Sequence, residues 1–72
     1  PQIIKFDQAF IQAERRQKSW CLQLKQLISL FHHWHKEVVI EGVETQEQYK
    51  LSQWLGADYV QGYYFGKPEM IQ

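Results

Sequence analysis

The sequence is poor in most of what would mark a specialised surface. A single cysteine among 72 residues leaves no disulfide framework and no cysteine-based zinc site within one chain. That suits a reducing compartment without requiring an oxidising one. Neither sign of charge prevails: eight Lys plus Arg stand against eight Asp plus Glu. A net charge of zero argues against a dedicated binder of DNA or of an anionic membrane. The apolar runs are too short to span a bilayer. No basic segment followed by an apolar one opens the chain, so no signal peptide is expected. Length is scarce too. A chain this short makes one small domain at most and buries only about 60% of the surface its unfolded form exposes. Repeats, linkers and low-complexity stretches are absent from the sequence.

What is present is periodic. Ile3–Asp7 reads as a short strand, with Ile4 and Phe6 on one parity and Ile3, Lys5 and Asp7 on the other. Trp20, Leu24, Leu27, Ile28 and Phe31 follow at i, i+4, i+7, i+8 and i+11. That spacing makes one apolar helical face and predicts a helix over about residues 14–34. Glu37–Glu41 predicts a second strand, with Val38 and Val39 on opposite faces and Gly42 ending it. Thr45 and Gln48 stand at capping-box spacing, so a second helix is expected from Gln46 to Leu55, closed by Gly56 at the position after its end. Asp58–Tyr64 predicts a third strand, and Gly66-Lys67-Pro68 a turn and terminus.

This order predicts an α/β fold, a βαβαβ unit with parallel strands and right-handed crossovers. Two crossovers of one hand cover a single face of the sheet. Lys5, Asp7, Glu41 and Gln61 fall on the other face, among Ile3, Val39 and Tyr59. Such a mixed face suits the solvated side of a two-layer domain. It equally suits the interior of a closed barrel, where chemistry sits at the C-terminal strand ends.

Three ordered motifs carry a resemblance. Ile4-Lys5-Phe6-Asp7-Gln8-Ala9-Phe10-Ile11 is similar to "IKIDRSFI", and Val39-Ile40-Glu41-Gly42-Val43-Glu44-Thr45 to "IAEGVET". Leu55-Gly56-Ala57-Asp58-Tyr59-Val60-Gln61-Gly62-Tyr63, then Phe65-Gly66-Lys67-Pro68, is similar to "LGCDYVQGYLFGRP". In these motifs the chain resembles the EAL domain of bacterial cyclic-di-GMP phosphodiesterases, over nearly its whole length. The resemblance implies the last three strands of a TIM-like (β/α) barrel, with residues 1–72 the C-terminal part of the domain. A whole barrel takes about 250 residues. The Glu-Ala-Leu and Asp-Asp-Phe-Gly motifs, which supply most of the family's metal ligands, are not in this sequence. Pro1 as first residue, with no initiator Met, is expected of a cut from a longer chain.

The resemblance implies hydrolysis of one phosphodiester bond of cyclic di-GMP to the linear dinucleotide, with Mg²⁺ or Mn²⁺ and in the cytoplasm. Lys5 would face the scissile phosphate or the attacking water. Asp7 would hold a metal or its water. Glu41 would be the general base or a water-mediated metal partner. Glu44 would secure the loop that carries the absent aspartates, and Gln61 would position ligand or site. Without the resemblance, Lys5 and Asp7 read as an ion pair and Glu41 as turn chemistry. Two departures stand out: Ile40 replaces the usual Ala before Glu41, and His35-Lys36 replaces a Gly-containing turn.

Other residues read more simply. His32, His33 and His35 suit a solvated helix end better than a metal site, because no carboxylate or cysteine stands at zinc-site spacing. Cys21 is expected to be a partly buried bystander. Tyr63, Tyr64 and Phe65 could stack on a guanine base or pack in a core. Two functions remain. One is a phosphodiesterase segment, inactive alone and completed by the remaining barrel strands or a second copy. The other is a truncated, non-catalytic remnant whose exposed edge binds a partner in signalling.

Overall fold

The computed structural model describes residues 2–13, 18–62 and 69–71. Strand β1 spans Ile3–Asp7, helix α1 Gln8–Ala13, helix α2 Lys18–His33 and strand β2 Glu37–Glu41. Helix α3 spans Gln46–Leu55, and strands β3 and β4 span Tyr59–Val60 and Glu69–Met70. The sheet order is β1-β2-β3-β4. The expected parallel pairing holds for β1 with β2 and for β2 with β3. β4 runs antiparallel to β3 and turns the expected tail into an edge strand.

The register places Ile3 beside Glu37, Lys5 beside Val39 and Asp7 beside Glu41. Val39 in turn lies beside Tyr59. Val38, Ile40 and Val60 turn into the core, against Leu24 and Ile28 of α2, Leu55 of α3 and Ile11 of α1. Val38 and Val39 therefore face opposite ways, as their adjacency requires.

The expected helix over about 14–34 is described from Lys18 to His33, and residues 14–17 lie outside the described residues. Three expectations need correction. The sequence pattern places no element directly after β1, yet a short helix α1 stands there, started by the Asp7 side chain, whose Oδ1 accepts from Ala9 N–H at 2.8 Å. Leu27, placed on the core stripe by its spacing, is 38% exposed at the flank of α2. The third strand is only two residues long, and Tyr63 and Tyr64 lie outside the described residues, as does Phe65.

Both long helices stop as local chemistry dictates. At the end of α2, Lys36 N–H bonds to Phe31 C=O and His35 N–H to His32 C=O, each at 2.9 Å. His35 sits in the left-handed region at φ 61°. This is the Schellman arrangement, in which glycine is the usual residue at that position. α3 ends the same way at Gly56, with φ 95°. Its start is the expected capping box: Gln48 N–H donates to Thr45 Oγ1 at 3.1 Å, and Gln48 Oε1 accepts from Thr45 N–H at 3.3 Å.

Candidate functional site

The face of the sheet turned away from the helices carries a shallow concavity of about 290 Å³, lined by Ile3, Lys5, Glu37, Val39, Tyr59 and Gln61. Its side chains lie in levels set by the register. Ile3 and Glu37 stand lowest, Lys5, Val39 and Tyr59 in the middle, Asp7 and Glu41 highest. Gln61 follows β3, and its N–H donates to Ile40 C=O at 2.9 Å, which brings it level with Glu41. The polar groups of the upper level thus gather at the C-terminal ends of three parallel strands. That is where α/β sheets place their chemistry.

Lys5 stands one level lower than a strand-end position. Its stem rises along the face and brings Nζ to 3.8 Å from Glu41 Oε1. Both side chains are partly in water, 59% and 38% exposed, so the pair adds little to stability. Asp7 belongs to β1 and α1 together. One of its oxygens caps α1. Gly42 passes close by, and a Cβ there would lie 3.8 Å from the same Oδ1 and 3.6 Å from Gln8 Cβ. That is ordinary contact, but Gly42 holds φ 77°, and it is this backbone conformation that suits the turn after Glu41 to glycine.

The turn is held from β3 as well. Val43 N–H donates to Gln61 C=O at 3.0 Å. A Cβ on Gly62 would fall on the backbone of Val43, so only glycine lets the two segments meet. Glu44 is exposed, and its N–H donates to Gln48 Oε1 at 2.8 Å. It stands at the start of α3, outside the lining of the concavity.

Lower on the face, the Tyr59 hydroxyl donates to Glu37 Oε2 at 3.4 Å. The Glu37 charge, then desolvation, raises the phenol above its ordinary pKa. Neither residue stood out as a site candidate, since their pairing depends on the β2–β3 register.

Asp7 and Glu41 offer hard oxygen donors of the kind Mg²⁺ and Mn²⁺ prefer. Among the described residues no group of three His, Cys, Asp or Glu gathers to hold a metal. The donor chemistry therefore fits part of a ligand set. The histidines stand exposed at the end of α2, as expected of a solvated helix end, and one of them finds a partner. His35 leaves the helix, and His32 Nε2 donates to Asp58 Oδ2 at 2.7 Å. The carboxylate partner stands 26 residues away, beyond any spacing rule. Among the described residues no helix is long and apolar enough to cross a membrane.

The chain has relatives among known proteins. Over 65 residues, 90% of the chain, it is 32% identical to the oxygen sensor protein DosP of Escherichia coli K12. Over the same length it is 34% identical to the cyclic di-GMP phosphodiesterase RocR of Pseudomonas aeruginosa PAO1. It spans only 8% of DosP and 17% of RocR. The solved EAL enzyme Bd1971, in its form bound to cAMP and cyclic di-GMP, superposes with a TM-score of 0.74 at 31% identity. That match covers 93% of this chain and 18% of Bd1971. The profile of the EAL domain matches residues 1–68, and the chain belongs to the EAL domain family.

Proposed function

We propose that residues 1–72 are the C-terminal part of an EAL barrel and supply one wall of a cyclic-di-GMP phosphodiesterase site, working in the cytoplasm. The observation that carries this reading is the upper level of the open face. Asp7, Glu41 and Gln61 stand side by side there, and the Lys5 ammonium reaches Glu41. Chemistry-bearing groups converge at the strand ends, while the lower levels are mixed and partly apolar.

The chain's residues take distinct parts. Lys5 presents a compact positive charge to a phosphate oxygen or to the attacking water. Glu41, beside it, takes the water's proton or holds a water that a metal also binds. Asp7 keeps one oxygen on the α1 cap and offers the other to Mg²⁺ or Mn²⁺. Gln61 supplies an amide that fixes ligand orientation, and Glu44 steadies a loop from elsewhere in the domain. The metal, when bound, supplies charge stabilisation at the phosphate and a more acidic water. Most of its ligands come from the rest of the barrel, so the isolated segment is inactive.

The test is hydrolysis of cyclic di-GMP to the linear dinucleotide by the full-length protein, with Mg²⁺ or Mn²⁺. Lys5→Ala and Glu41→Ala each lower kcat/KM by more than about tenfold. Rates within that margin would sink the assigned roles. A second reading, a non-catalytic remnant that docks a partner, draws on β1 as the outermost strand of the sheet among the described residues. A full-length protein without hydrolysis, yet associating through this segment, would favour it.

A further inference from the structure

Val38 is fully buried, so its N–H requires an acceptor. The β2–β3 ladder has two rungs, Val39 with Tyr59 and Ile40 with Val60. Below them the acceptor for Val38 N–H is the side chain of Asp58, with Oδ2 at 2.8 Å. Asp58 also returns its own N–H to Val38 C=O at 2.9 Å. One residue thus grips Val38 from both sides and stands in for a missing rung. The same Oδ2 receives His32 Nε2 at 2.7 Å from the last turn of α2. Asp58 C=O receives Ile71 N–H, just beyond β4, at 2.9 Å.

Two rungs define a register weakly, and a slip of one residue would turn Gln61 off the open face. At the other end of the pairing, Gln61 N–H meets Ile40 C=O and Val43 N–H meets Gln61 C=O. The anchor and the site therefore lie at opposite ends of one short pairing. We propose that Asp58, steadied by His32, is a positioning residue that sets the β2–β3 register and so holds Gln61 level with Glu41. Its catalytic consequence rests on the function proposed above.

The experiment uses the full-length protein that carries this segment, with D58A, D58N and H32A. Turnover of cyclic di-GMP is measured well below each melting midpoint, and amide hydrogen exchange is followed in parallel. D58A lowers kcat by at least about tenfold with KM within about threefold, since geometry at the reacting groups is what changes. D58N keeps an acceptor for Val38 N–H and stays within about threefold of wild type. Exchange at Val38, Val43 and Gln61 rises at least about tenfold in D58A relative to amides inside α3. Should D58A fail to fold, H32A, which leaves no donor for Asp58, carries the test, with a rise of about threefold or more at the same amides.

Wild-type kcat with unchanged exchange overturns the proposal, and so does an equal loss of kcat in D58A and D58N. A wild type that hydrolyses no cyclic di-GMP overturns the proposed function alone. Exchange at Val38 and Gln61 then still decides whether Asp58 sets the register.

Discussion

His35 holds φ at 61° with a full side chain, at a place where a Schellman turn favours glycine. A Cβ in the left-handed region costs roughly 1–2 kcal/mol, and glycine's extra freedom in the unfolded chain returns roughly 0.4–1 kcal/mol of that. His35→Gly is therefore expected to stabilise the fold by up to about 1 kcal/mol, read as a higher melting midpoint. A lower midpoint would mean that the imidazole holds a contact worth more than the strain. Tyr59 offers a prediction in pH. Its phenol is raised chiefly by the Glu37 charge. The folded state then keeps its proton where the unfolded chain has lost it. This contribution to stability is present below the ordinary phenol pKa and is lost as pH rises through the raised one. In an absorbance titration, the phenolate signal that disappears in Tyr59→Phe should emerge later than that of free tyrosine. Glu37→Gln should draw it back, and no movement would remove Glu37 as the cause.

At the scale of elements, α3 is the most locally determined part of the chain. Thr45 and Gln48 close both halves of a capping box, and Gly56 ends the helix. Thr45→Ala should cost about 1 kcal/mol, and the loss should appear at the first turn of α3 in amide exchange. Uniform loss across α2 and α3 would show that the cap serves the whole domain. Such elements were legible because their signals are local: alternation for β1, adjacent β-branched residues for β2, a cap and a glycine for α3. α1 was not, because it is a short helix begun by an aspartate that also belongs to a strand. β4 was not, and β3 was legible as a strand but not in its length, because two-residue strands exist only through their pairing. The site follows the same division. Parity alone put Lys5, Asp7, Glu41 and Gln61 on one face. The clasp of His32 on Asp58, and through it on Val38, joins residues far apart in sequence and left no local trace.

For the whole molecule, the balance of surfaces decides. The helix-covered face is packed, with Val38, Ile40 and Val60 fully buried. The other face keeps Ile3 at 52% and Met70 at 61% exposed, and among the described residues no strand lies outside β1. A parallel sheet is normally covered on both sides, and an unpaired strand edge invites another strand. A chain of 72 residues has little core to hold such surfaces in water. Prepared alone, it should therefore sediment as an associated species at tens of micromolar, with dissociation on dilution accompanied by loss of helical circular dichroism. The Ile3→Lys substitution separates the causes. If the open face drives association, a charge there weakens it. If the β1 edge drives it, association persists, because strand pairing uses backbone groups that the substitution leaves in place. A folded monomer at every concentration would mean that the helix-covered core suffices, and that the open face tolerates water without the rest of a barrel.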